Sequence, residues 1–265
     1  MTLLLACAQQ PASPLVVELP ETRHAVELGE PQSLASGGGL ELSQLTWTWQ
    51  EASGKAWVVE LNRDAALGLV PATGVQFMDA FVELPETGAA INGAFYENGG
   101  PMGLVRVGGV SVSDVSPRGG SGILFWGPSP PLITHRDLWD GHGDNALQSI
   151  DRLVDGGTSL VQRRDGAPRA ARSAVLLSQD RLSFVVAAAD ASIAGDGRDL
   201  SLRGTVGQGL PLWAFADLAV ALGAGQALNM DGAISSGLRA RVEGEDVLVV
   251  RSEAGTINAL VTHPR

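Results

Sequence analysis

Two stretches hold residue types in an order that could do chemistry. One is Leu228-Asn229-Met230-Asp231-Gly232, continued through Ala233-Ile234-Ser235-Ser236-Gly237. A carboxylate ending an apolar run, followed by glycine and hydroxyls, suits a sugar or phosphate pocket. There Asp231 could act as general acid, general base, or nucleophile toward an anomeric carbon. The Ser235 and Ser236 hydroxyls and the loop N–H groups could hold phosphate oxygens. The same residues also fit an Asp-Gly turn whose carboxylate caps its own backbone. The other stretch is Ile91-Asn92-Gly93-Ala94-Phe95-Tyr96-Glu97, closely followed by Gly99-Gly100-Pro101-Met102-Gly103. The Asn92 amide can both donate and accept, and Gly93 lets a backbone approach a ligand. An Asn-Gly turn between two strands is the alternative.

Other constellations are weaker. Asp137, Asp140, His142 and Asp144 could offer oxygen ligands to a hard cation, but they lack the spacing of an EF-hand loop, and a solvated polar loop fits them better. His24, His135, His142 and His263 are scattered without zinc-type spacing. Ser235 has no G-x-S-x-G elbow around it. Neither a Walker loop nor a dinucleotide fingerprint between strand and helix is present. No cofactor and no metal is therefore expected.

The elements that must position these residues are mostly strands. Leu45, Trp47 and Trp49 alternate with polar residues, and Trp57, Val59 and Leu61 repeat that period after Gly54-Lys55, which predicts a hairpin with one buried face. Residues 75–83 show helical spacing closed by Pro85. Ala89 to Asn92 reads as a short buried strand that delivers the first stretch. Further strands are expected near 103–108, 122–126, 158–162, 173–178 and 183–189. The clearest helix is 211–222, with Pro211 in its first turn, Leu212, Phe215, Leu218, Ala219 and Leu222 on one face, and Gly223 as its stop. Gln226 to Met230 is a buried strand leading into the Asp231 loop, and 238–242, 246–251 and 256–261 read as antiparallel strands. The expected fold class is α+β: a single domain with a mixed, strand-rich sheet and a few packing helices.

The chain has 265 residues, of which 45% are hydrophobic and 18% charged, so it can bury a full core and does not read as disordered. Its net charge of -11 makes nucleic acid a poor partner, because such a surface repels phosphate polymers at long range. The only cysteine is Cys7, so no intrachain disulfide is possible. Leu4-Leu5-Ala6-Cys7 looks like the end of a bacterial lipoprotein signal, with Cys7 as the lipidation site, although the basic start of a signal peptide is missing. No other apolar run approaches the roughly 20 residues that span a bilayer. The expected organisation is a signal remnant and linker over 1–40 and one domain over 41–265, exported and held to a membrane only through a lipid anchor.

Six motifs in order carry a resemblance: N-G-A-F-Y at 92–96, P-M-G-L-V at 101–105, A-L-Q-S with D-R-L-V-D-G at 146–156, A-R-S-A-V at 171–175, G-L-P-L-W-A-F-A-D-L-A at 209–219, and A-L-N-M-D-G-A-I-S-S-G at 227–237. Together they make the chain similar to the phosphodiester glycosidase family over residues 55 to 262. The resemblance implies hydrolysis of a sugar joined through its anomeric oxygen to a phosphodiester. It implies catalytic roles for Asp231, Asn92 and Arg172, and substrate contacts from Gly93, Tyr96, Glu97, Gln148, Gly232, Ser235 and Ser236. Arg172 and the loop N–H groups would hold the phosphate, since a guanidinium fork matches two phosphate oxygens. Asn92 would orient a sugar hydroxyl and Asp231 would be nucleophile or general base. Read without the resemblance, Arg172 is a surface arginine at a strand start.

The chain also departs from the family pattern. Family glycines are replaced at Ala94, Ala233 and Ile234, a helix glutamate is Ala214 with Asp217 one turn later, and a Gly-Pro pair is Ile150-Asp151. These changes leave open a second reading, a non-catalytic surface-anchored carbohydrate-binding protein that keeps the family cleft. A structural envelope lipoprotein rests on Cys7 alone.

Overall fold

The computed structural model describes residues 26–264, so Cys7 and the signal-like segment lie outside the described residues. Leu40–Trp49 and Ala52–Asn62 form the predicted hairpin. Its turn, however, is at Gln50-Glu51, with Gln50 in the left-handed region (φ 55), and not at Gly54-Lys55. Gly54 instead lies inside the second strand, where the Trp47 ring fills the space a Cβ would take. Nor do the two alternating runs share a face. The register pairs Gln44 with Trp57 and Trp47 with Gly54. Leu45, Trp47 and Trp49 therefore point to one side of the sheet, and Trp57, Val59 and Leu61 to the other. Both sides are covered, so both runs are apolar.

This hairpin belongs to a nine-stranded sheet that continues through Arg181–Ala189, Arg172–Leu177, Gln226–Asn229, Arg152–Asp155 and Thr158–Ser159. Glu27–Leu28 and Gln32–Gly37 pair onto its first long strand, so the sheet reaches into the stretch whose composition reads as linker. A seven-stranded sheet faces it, with Leu238–Val242, Gly88–Asn92 and Thr256–His263 side by side near its middle. Among the described residues the only parallel pairing is Asp199–Leu202 with Glu245–Arg251. A five-stranded sheet, which includes Gly122–Trp126 and Asn145–Ser149, adds its own buried residues to the same core.

The main core lies between the two large sheets, built from residues such as Trp57, Phe184, Val175, Ile91, Leu248 and Leu260, all fully buried. Each such aliphatic or aromatic side chain contributes about 1.5–3 kcal/mol relative to an exposed one. A second core lies on the outer face of the nine-stranded sheet, beneath the helix Leu212–Ala221. That helix follows the sequence closely: Pro211 precedes it and Gly223 (φ 81) ends it in the left-handed region. It is the only α-helix among the described residues, so the fold is mostly β, and the few packing helices expected are reduced to one. The helical spacing at 75–83 is not realised. Ala66–Gln76 is a strand and only Met78–Ala80 makes a 3-10 turn. Met78, Val82 and Leu84 instead cover Ala90 and Ala259 on the outer face of the seven-stranded sheet.

Candidate active site

The chain leaves the nine-stranded sheet at Asn229 and enters the seven-stranded sheet at Leu238. The loop between, residues 230–237, bridges the two layers. Leu238 pairs with Ile91, so the register brings the end of this loop against Asn92. Asn92 is fully buried. Its Nδ2 donates to the Asp231 main-chain oxygen (2.6 Å), and its Oδ1 accepts from the Gly237 N–H (3.1 Å). The Asp231 N–H donates back to the Gly93 carbonyl (2.9 Å). The two candidate stretches are thus one unit, and Asn92 holds it together instead of facing a sugar.

Gly93 has a similar explanation. A Cβ there would overlap the carboxamide oxygen of Asn258 and lie 2.9 Å from its main-chain oxygen. That Asn258 oxygen accepts from the Ala94 N–H (2.9 Å), and the Asn258 carbonyl accepts from the Gly93 N–H (2.9 Å). The close approach that glycine permits is to Asn258, a residue the sequence reading passed over. Its signal was a lone amide within Thr256-Ile257-Asn258-Ala259-Leu260, an otherwise apolar strand, where a buried amide requires partners.

The Asp231 side chain is half-buried, and its Oδ1 accepts from the Gly232 N–H (2.9 Å). Burial pushes the carboxyl up to about 6, against the opposing pull of the Ser235 hydroxyl and the Gly232 N–H. Ser235 also lies 3.4 Å from the Gly255 carbonyl, which accepts from the Tyr96 hydroxyl as well (3.1 Å). Ser236 Oγ is buried without a protein partner, as are Asn229 Oδ1, Ser173 Oγ and Asn258 Nδ2.

Arg172 opens the strand next to Gln226–Asn229. Its Nε donates to the Leu210 carbonyl (3.1 Å) and its Nη2 to the Pro168 carbonyl (2.8 Å). Nη1 has no protein partner among the described residues. It lies 3.9 Å from where a Gly232 Cβ would stand, so the Asp231–Gly232 backbone runs beside it, while the tighter approach at Gly232 is to the Ala171 carbonyl (3.1 Å). Burial lowers the guanidinium to about 10, while the Asp151 carboxylate acts in the opposite direction. Arg172 is therefore no ordinary surface arginine.

Other expected contacts have different occupations. The N–H groups of Gly232, Ala233, Ser235 and Ser236 are bonded to Asp231 Oδ1, Ala171 O, Gly232 O and Ala233 O. They are not free to hold a phosphate. Gln148 is buried and makes four hydrogen bonds, accepting from Leu104 and Ser116 N–H and donating to Ser116 and Gly120 carbonyls. It ties loops together. Glu97 is exposed and paired with Arg118. Asp217 faces Arg163 (2.9 Å) and does not replace the acid absent at Ala214, which is fully buried. In the 137–144 loop, Asp140 pairs with His142 and Asp137 with Arg136, and no group of three or more acidic, His or Cys residues is placed to hold a metal ion among the described residues.

The motifs around Asn92 and Asp231 thus fold into one bridged unit with Arg172 beside it. The family model described as phosphodiester glycosidase matches residues 86–261. The chain belongs to the phosphodiester glycosidase family. The matched region holds Asn92, Arg172 and Asp231. Three solved structures show the same fold. The zebrafish N-acetylglucosamine-1-phosphodiester alpha-N-acetylglucosaminidase catalytic domain, auto-inhibited by its pro-peptide, is 13% identical, with 91% of this chain and 89% of that chain covered (TM-score 0.61). A hypothetical protein from Synechocystis is 15% identical over 89% of this chain (TM-score 0.58). The present chain spans 64% of that Synechocystis chain. A protein from Burkholderia pseudomallei is 12% identical over 97% of this chain and 100% of its own (TM-score 0.54). No curated protein matches in sequence.

Proposed function

We propose that the chain is an exported glycosidase that hydrolyses a sugar-1-phosphodiester, in an envelope or exopolysaccharide glycan. The observation that carries this reading is the placement of the Asp231–Gly232 loop beside the uncommitted Nη1 of Arg172. The loop that carries a carboxylate able to attack, or to activate water, thus runs beside a cation able to hold the departing phosphate. Water adds to the anomeric carbon, the bond from that carbon to the phosphate oxygen breaks, and free sugar and a phosphomonoester leave. The phosphate departs as a weak base, so protonating it contributes little and one essential carboxylate suffices. Asn92 acts as a positioning residue through the Asp231 carbonyl. Export rests on Leu4-Leu5-Ala6-Cys7 and lipidation on Cys7.

The test is turnover of a panel of sugar-1-phosphodiesters by the full chain, with Asp231→Asn beside it. Release of free sugar that disappears in the variant supports the reading. Equal turnover by a folded Asp231→Asn protein removes Asp231 from the mechanism.

A second reading, a carbohydrate-binding protein without turnover, is favoured by one observation. The position of the missing helix acid is a fully buried alanine, and the nearest acid, Asp217, is engaged with Arg163. Saturable glycan binding with no product from any diester would establish it.

A further inference from the structure

A groove of about 580 Å³ lies apart from the site described above, with neither Arg172 nor Asp231 in its walls. Its size is within the range of about 300–1,000 Å³ usual for small-molecule clefts. Asp151 lines it with a half-buried carboxylate that has no hydrogen bond or ion pair among the described residues. Burial pushes that carboxyl up from its ordinary value of 3.8. A partly desolvated carboxylate without a partner is costly, and a ligand that brings donors removes the cost. The backbone fixes where it stands: Asp151 is in the left-handed region (φ 65), and its carbonyl accepts from the Asn229 N–H (3.1 Å). The family pattern has proline at this position, and a proline ring holds φ at about -65° and could not follow that path. The carboxylate and the backbone that presents it are thus features of this chain.

The other walls decide what chemistry fits. Gln162 and Arg164 line the groove with side chains that have no partner among the described residues. Arg152 is tied to Asp155 (3.0 Å), and His135 Nδ1 accepts from the Asp137 N–H (3.2 Å), which leaves its Nε2 to other partners. Leu212 and Trp213 supply an apolar side. The Trp213 ring is fixed there by the edge of Trp49 at 5.6 Å and by the Arg163 guanidinium at 5.2 Å. An anion in this groove meets the Asp151 carboxylate, a cation meets Arg152 and Arg164, and a hydrocarbon leaves all of these groups unpaired. A neutral ring bearing many hydroxyls satisfies them together. Its hydroxyls donate to the carboxylate and accept from the amide and guanidinium, while its C–H surface lies against Leu212 and Trp213. We infer that this groove is a binding site for a neutral saccharide, with Asp151 as its main hydrogen-bond acceptor. The site needs no contact with Arg172 or Asp231 and does not depend on the proposed hydrolysis.

The test is saturation-transfer difference NMR of the full chain with maltose, cellobiose and N,N′-diacetylchitobiose, followed by titration of the tightest binder. At least one of the three is expected to bind. Asp151→Gly suits the left-handed backbone and removes the carboxylate, and it should weaken that sugar by about tenfold or more. Gln162→Ala, on an exposed stretch, should weaken it by about threefold or more. Asp231→Asn should bind it as the wild type does. Binding of none of the three sugars overturns the inference. So does unchanged affinity in a folded Asp151→Gly protein or, if that variant does not fold, in Gln162→Ala. Loss of binding in Asp231→Asn alone places the sugar at the reaction site and overturns it as well. Absence of turnover on sugar-1-phosphodiesters bears on the proposed reaction only, so the two readings fail separately.

Discussion

The Asn92 carboxamide donates to the main-chain oxygen of Asp231 across 139 positions of sequence, at 2.6 Å, and is buried completely. It thereby sets where the Asp231 carboxylate begins. Replacement by aspartate puts an oxygen against the Asp231 oxygen while keeping the Gly237 bond. Asn92→Asp should therefore cost about 2–4 kcal/mol, at least as much as Asn92→Ala. Thermal or denaturant unfolding measures it, and an unperturbed midpoint for Asn92→Asp would show that the amide does not hold the loop.

Asp231 predicts opposite changes in stability and activity. Its carboxyl sits at about 6 in the folded protein, above the ordinary value of 3.8. The folded state then binds the proton more tightly, so this group's contribution to stability falls as pH rises from about 4 to 6 and stays unfavourable above that. Asp231→Asn should remove this penalty and stabilise the protein at pH 7 by on the order of 1–3 kcal/mol. It should also abolish sugar release. In the wild type, kcat/KM should climb through pH 6 as the carboxylate ionises. A flat profile between pH 5 and 7 would count against Asp231 as base or nucleophile.

Arg172→Lys keeps the charge and loses the fork. The Leu210 and Pro168 carbonyls are left without their donors, and the remaining ammonium cannot hold both walls and a phosphate. KM for any phosphodiester substrate should rise by about tenfold or more, with a loss of about 1–3 kcal/mol in stability. Steady-state kinetics at saturating substrate separates this from a change in kcat.

The pair Gly93 and Asn258 should couple strongly. Gly93→Ala drives a methyl group into the Asn258 carboxamide, for a cost of about 3 kcal/mol or more. Asn258→Ala orphans the Ala94 N–H and costs about 1–3 kcal/mol. The double variant removes the clash, so the two losses should be less than additive. Strict additivity in urea unfolding would mean the predicted overlap is not the cause.

Ala233 adopts a left-handed conformation (φ 51) at a position where the family pattern has glycine. A methyl-bearing residue there is strained by about 1–2 kcal/mol, partly offset by the lower entropy of its unfolded chain. Ala233→Gly should raise the unfolding free energy by about 0.5–1 kcal/mol. A lower melting temperature for that variant would contradict the strain.

Local patterns in the sequence were sufficient for elements whose cause is local. Leu238–Val242 has its predicted bounds and Leu212–Ala221 lies within one residue of them, because period-two alternation, a proline start and a glycine stop act within a few residues. The order of six motifs likewise singled out Asn92, Arg172 and Asp231 and the family that contains them. Residues 75–83 misled, because Met78 and Val82 pack on a sheet face whose position no local period reveals, while Val75 and Phe77 stay exposed.

What only the tertiary structure decided depends on contacts made across long separations. The face each hairpin run covers followed from a second sheet on one side and a helix on the other. Asn258 reaches Ala94 over 164 positions. The N–H groups of the Asp231 loop were expected to hold phosphate and are instead spent within the protein, on Asp231 Oδ1, Ala171, Gly232 and Ala233. Residue type and order told which groups were present, but a hydrogen-bonding group serves whichever partner the fold brings within 3 Å or so. That choice left Nη1 of Arg172 without a protein partner among the described residues, beside the Asp231–Gly232 loop.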